Sequence, residues 1–210
     1  MRFFWFFVVI ICLQLFLTLA LVPSEYIRLG MLKERGYIAN EMGETTAQML
    51  DEQAHDWYKP MMIDSGIADA VRRFVITDNV ERKQRMSEGA ASIRDKTFPY
   101  FEDRVMAFIY CLYWSLKRIA LLIHWLPAML PVIVLAFWHG WMMRKVKTEN
   151  FSFSSPLIEQ TATWGSMIGI FGLLLLFFLP FAVPPVVAPT LLAVIGILIG
   201  LSISNMRKRI

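Results

Sequence analysis

The chain has 210 residues, of which 57% are hydrophobic and 18% charged, and its formal net charge is +4. Ordinary soluble domains carry roughly 25% charged residues, so the composition argues against a soluble globular enzyme. Cys12 and Cys111 are too few for a disulfide framework, a zinc site or a CxxC motif. Segment 23–104 holds slightly more acids than bases, and most of the bases outside it cluster beside apolar segments, at Arg2, at Arg144, Lys145 and Lys147 and in the C-terminal tail, which is the charge layout of membrane orientation and not of nucleic-acid affinity.

The first apolar segment, 3–22, is preceded by Arg2. It is too long and bulky for a signal peptide, and Ala20-Leu21-Val22 lacks the small residue of a cleavage site. We expect 1–22 to be an uncleaved transmembrane helix, with Arg2 favouring a cytoplasmic N-terminus.

The polar stretch that follows has apolar residues at helical spacing, as in Ile38, Met42, Thr45 and Met49, and again in Ile67, Val71 and Phe74. Ser24 and either Asp64 or Ser65 are expected N-caps, and Gly36, Gly43 and Pro60 expected breaks. The charged run 78–85 reads as a solvated helix face. Strand signals are weak, and the stretch is small for an independent core, so it should pack on the membrane-proximal helix or on partner subunits.

Between 105 and 143 the sequence is nearly continuously apolar, interrupted by Lys117 and Arg118. One helix of that length would run nearly 60 Å at about 1.5 Å per residue, too long for a single crossing. The expected second span is therefore 119–143, bent by Pro127 and Pro131. Residues 105–116, with Tyr110, Tyr113 and Trp114, are expected to form an interfacial helix that completes a periplasmic helical region, 23–118. Lys117 and Arg118 would then snorkel toward headgroups. A span over 105–126 is the alternative, but it puts Arg144, Lys145 and Lys147 outside.

The basic segment 144–163 reads as a cytoplasmic loop. Within it Ser155-Pro156 resembles an N-cap followed by proline at the first helical position, with Glu159 in the first turn. Phe151 and Phe153 precede that helix as exposed aromatics, set either in the headgroup layer or in a partner groove. A transmembrane hairpin, 164–204, follows: arms 164–183 and 186–204 joined at Pro184-Pro185, then the basic cytoplasmic tail 205–210 with Arg207, Lys208 and Arg209. The arms carry Gly165, Gly169 and Gly172, and Gly196 and Gly200, at spacings that let helix backbones approach closely. Their neighbours could be each other, another copy of the chain or a partner's spans.

The expected fold class is thus an all-α polytopic membrane protein with four transmembrane helices, a helical periplasmic region between the first two, and both termini cytoplasmic. Arg2, Arg144, Lys145, Lys147, Arg207, Lys208 and Arg209 are assigned to orientation and lipid headgroups. Nothing points to an enzyme, a cofactor or a metal. Nucleotide-loop, HExxH and GxSxG motifs are absent, no acid lies in a span, and His124 and His139 stand about four turns apart. Those two histidines read as neutral imidazoles bonded to a neighbouring helix or at the headgroup level. A proton relay is the alternative.

In layout, the opening Met1-Arg2-Phe3-Phe4-Trp5, the polar region after the first span, the basic loop from Arg144 leading to Ser-Pro and the closing hairpin together resemble conjugation proteins of the TraJ type. These occur in integrating conjugative elements and large conjugative plasmids. The resemblance implies a non-enzymatic bacterial inner-membrane protein that associates with the coupling ATPase of a type IV secretion system in DNA transfer. Direct nucleic-acid binding is not expected from the residues, since Arg144, Lys145 and Lys147 lie beside a span and are too few for a strong phosphate footprint. A small transporter or channel, or an exclusion or assembly protein of the same system, is the alternative.

Overall fold

A computed structural model gives the fold and describes residues 2–67, 88–150 and 155–206, all of whose regular elements are helical. Helix α1 is Arg2–Leu21, α2 is Ser24–Met42 and α3 is Glu44–Tyr58. Between α1 and α2, Pro23 adopts extended backbone at φ −64°, ψ 148°. The break between α2 and α3 falls at Gly43, whose φ of 94° is a conformation that side-chain-bearing residues rarely adopt.

The other expected breaks do not interrupt the chain. Gly36 lies inside α2, where burial of Ile27 and Ile38 on one face offsets a glycine's cost of about 1 kcal/mol relative to alanine. Pro60 has no N–H to donate, and the chain widens there into a π-helical turn, Lys59–Asp64, instead of ending. Ser24 is not a cap either: both its N–H and its hydroxyl donate to Asp103. Asp64 closes the π-helical turn, whereas the Ser65 hydroxyl donates back to the Met61 carbonyl and accepts the Ile67 N–H at 3.4 Å, as a cap does. Val71, Phe74 and the run 78–85 lie outside the described residues.

The largest departure from expectation concerns the next element. Helix α4, Glu88–Glu149, is continuous, so the separate interfacial helix at 105–116 and the span beginning at 119 are stretches of one element. Lys117 and Arg118 do not break it, because each is buried against an acidic partner, Asp51 and Glu34. Helix α5, Pro156–Phe177, starts at the expected proline. It stops six residues short of the expected 183, because Pro180 disfavours helix in the residue before it. Helix α6 is Val187–Asn205.

Three of the described helices, Asp103–Glu149 within α4, Pro156–Phe177 and Val187–Asn205, are long and apolar enough to cross a membrane. Helix α1 contains a shorter apolar stretch, Phe7–Thr18. The chain divides into two compact units, one of Met1–Ala120 with Phe178–Val183, the other of Leu121–Phe177 with Pro184–Ile210.

In the first unit, Ile27, Ala107 and Trp114 form a buried cluster against which Val22, Met31 and Tyr110 pack. The end of α1 is closed by side chains from α4. The Tyr100 hydroxyl donates to the Ala20 carbonyl at 3.0 Å and Arg104 to the Val22 carbonyl at 2.9 Å, satisfying acceptors that a helix end leaves open.

Candidate functional site

Two constellations stand out, one in each unit. The first begins with the register of α2. Ile27, Glu34 and Ile38 recur at helical spacing and are buried, so an acid sits on an apolar stripe. An isolated carboxylate there would be very costly, and its partner is Arg118 of α4. The two side chains are each 2% exposed, with Arg118 Nη2 to Glu34 Oε2 at 2.7 Å and Arg118 Nε to Oε1 at 3.1 Å.

Arg118 also donates to the carbonyls of Leu179 and Phe181, at 2.8 and 2.7 Å, while Glu34 Oε2 accepts the Val183 N–H at 3.1 Å. The guanidinium lies 4.4 Å from the Trp114 ring centre. One ion pair thus binds α2, α4 and the segment 178–183, whose backbone groups have no helix to satisfy them.

A second pair lies one residue away. Lys117, 3% exposed, is bonded to Asp51 of α3. Asp51 also accepts from Arg35 Nε at 2.8 Å, and Arg35 reaches Glu44 at 2.6 Å. The Asp51 hydrogen bond, reinforced by the charges of Glu44 and Asp51, holds the Arg35 guanidinium above its usual basicity. Tyr58 meets Tyr113 edge-on at 5.6 Å, and burial pushes the Tyr58 phenol up.

In the second unit the glycines set the packing. A Cβ built on Gly200 would fall 2.5 Å from the Ala136 carbonyl oxygen of α4, and one on Gly196 3.4 Å from Ile133 Cγ1. On Gly165 and Gly169 of α5 it would meet Leu198 Cδ1 at 3.2 Å and Ile195 Cγ1 at 2.7 Å, both on α6. Helix α6 therefore turns its glycines to α4 and inserts aliphatic side chains over the glycines of α5. Gly172 faces open space.

Polar contacts follow the same seams. Thr163 and Ser202 hydroxyls share a hydrogen bond of 2.7 Å across α5 and α6, and Lys147 Nζ donates to Asn205 Oδ1 at 2.8 Å across α4 and α6.

Of the residues expected to orient the chain or touch lipid, Arg144 and Lys145 line the surface of α4 near its end, and Lys147 is instead engaged by Asn205. Arg2 opens α1. Arg207, Lys208, Arg209, Phe151 and Phe153 lie outside the described residues. His55, His124 and His139 are all exposed, and no group of metal-ligating side chains gathers among the described residues.

Sequence reasoning missed Gly140, whose added Cβ would overlap the Gly200 carbonyl. The signal was present as a small-xxx-small spacing with Ala136. It also missed Glu34 and Asp51 as partners of the basic pair in α4, although an acid between Ile27 and Ile38 at helical spacing marks a buried charge.

Apolar helices of spanning length, held together by backbone-close glycine contacts, define a helical membrane protein. Over residues 24–209 the sequence matches the family described as IncC plasmid conjugative DNA transfer protein DtrJ-like, and the chain belongs to that family. Its role is thereby one in conjugative DNA transfer. No curated protein and no solved structure matches the chain.

Proposed function

We propose that the chain is a non-enzymatic inner-membrane subunit of a conjugative type IV secretion system, similar to the TraJ type, which associates with the coupling ATPase through its membrane spans. The observation that carries this reading is the combination of membership in a DNA-transfer family with a sequence that has no nucleotide-binding motif. The energy for transfer then has to come from another subunit. Exposed Leu130, Leu135, Trp138 and Ile168 supply apolar surface for its spans.

The layout we propose has four spans, with 23–118 periplasmic and both termini cytoplasmic. Two contacts support it. Arg118 bonds Phe181, which keeps the segment between α5 and α6 beside α4, and Arg104 bonds Val22, so the end of α1 and that segment both meet α4 ahead of residues 119–143, at points about 21 Å apart along the helix. From Arg118 to Arg144 the helix rises by about 39 Å, close to the thickness of a bilayer with its headgroups.

The test is capture of partners. Protein purified by a tag from native membranes in mild detergent should bring down the coupling ATPase, and deleting its gene should abolish or sharply reduce DNA transfer without slowing growth. Unimpaired transfer, or solute flux by the purified protein in liposomes, would replace this reading with that of a transporter.

A further inference from the structure

Near its C-terminal end α4 borders a groove of about 440 Å³ lined by Trp141, Arg144, Lys145, Thr148 and Glu149. The first four recur at i, i+3, i+4 and i+7, so they share one helix face. Three cations follow the apolar part of α4, and their surroundings separate them. Lys147 donates to Asn205 and serves the contact with α6. Arg144 and Lys145 border the groove, and among the described residues neither side chain has an ion pair or hydrogen bond.

Two cations against the single carboxylate of Glu149 leave the groove net positive. Trp141 is half exposed, and Phe137 stacks on it one turn back with ring centres 6.3 Å apart. The face therefore changes from aromatic to cationic within one helical turn. That change in polarity matches the boundary between acyl chains and headgroups, where tryptophan and basic residues concentrate. A guanidinium beside an ammonium suits a phosphate oxygen pair.

We propose that this groove binds the phosphate of an anionic phospholipid, held by Arg144 and Lys145, with Trp141 at the level of the glycerol and Glu149 accepting from headgroup hydroxyls. Duplex DNA is the less suitable phosphate source. Two cations at the end of an apolar helix neutralise too few phosphates for appreciable affinity at physiological salt. The inference rests on α4 lying in a membrane and is independent of which partner the spans engage.

The full chain, purified in mild detergent, is titrated with phosphatidylglycerol or phosphatidylcholine and bound lipid is counted by native mass spectrometry. We expect phosphatidylglycerol to be retained about tenfold better. One variant carries Arg144→Gln and Lys145→Gln together with Met142→Lys and Val146→Arg, which keeps the charge that orients the helix but removes it from the groove. It should lose the preference, while Arg144→Lys with Lys145→Arg, and Lys147→Gln, should keep it. Equal retention of the two lipids by the unaltered chain, or an unchanged preference in the relocated-charge variant, overturns the proposal. So does saturable binding of a labelled DNA duplex that falls when Arg144 and Lys145 are neutralised, since those cations would then belong to nucleic acid.

Discussion

Glu34 and Arg118, 84 positions apart in sequence, form a doubly hydrogen-bonded ion pair in which each side chain is 2% exposed. Burying both charges costs desolvation, so the pair is a device for fixing one arrangement more than a source of net stability. Its extra bonds to Leu179, Phe181 and Val183 define what it fixes.

Removing one member should therefore be far worse than removing both. Arg118→Met leaves a buried carboxylate with a single backbone donor, and a loss of about 3–5 kcal/mol is expected in thermal unfolding in detergent. Glu34→Gln should cost less, because the amide oxygen still accepts. The double variant Glu34→Leu with Arg118→Met should recover part of the loss of Arg118→Met. Additive single effects would mean that the pair does not act as a unit.

Gly30 sets the depth at which Trp114 sits beneath that arginine. A Cβ at residue 30 would lie 2.6 Å from Trp114 Cη2, and the ring is almost fully buried, so it has little room to yield. Gly30→Ala should destabilise the first unit by about 1–3 kcal/mol and alter the near-ultraviolet circular dichroism of the tryptophans. Gly36→Ala, on the same helix with open space at the Cβ, should be neutral or slightly stabilising. Equal effects at the two positions would remove the argument for a close ring contact.

Helix content, the start of α5 at Pro156 and the glycine spacing were legible because each depends on neighbours within a turn or two. Lys117 and Arg118 were misread for the opposite reason. Their partners, Asp51 and Glu34, come from helices far away in sequence, and periodicity carries no information about which faces meet. Without those partners two cations in an apolar run read as groups snorkelling to headgroups, and the continuous α4 reads as two separate helices. The glycines were recognised as packing positions, yet the sequence left their neighbours open. That α5 and α6 use them differently follows from Leu198, Ile195 and Ala136.

The seam orders the hairpin glycines by what surrounds them. At Gly200 the obstacle is the Ala136 backbone, which cannot move aside cheaply, whereas at Gly169 it is the side chain of Ile195. Leucine should thus be most damaging at 200, intermediate at 169 and tolerated at 172, with losses at the first two on the order of 1–3 kcal/mol. Gly169→Ala combined with Ile195→Ala should lose less than the sum of the single changes. Thermal inactivation in detergent gives the ranking, and a Gly172 variant as damaging as the Gly200 variant would show that the seam has been misassigned.

The proposed membrane sidedness rests on the charge asymmetry, and the contact between Arg118 and Phe181 ties two of the proposed outer segments together. Cys12 and Cys111 are first replaced by serine or alanine, since both are free thiols. Single cysteines are then placed at Glu52 and Val186 for the proposed outer side and at Thr148 for the inner side, all three being exposed positions. A membrane-impermeant maleimide added to intact spheroplasts should label 52 and 186 but reach 148 only after permeabilisation. Because residue 181 is bonded to α4 at Arg118, 52 and 186 should respond together in any orientation of the chain. Labelling of 52 without 186 would break the link between α3 and the segment joining α5 to α6. Outside labelling at 148 would overturn the four-span layout itself.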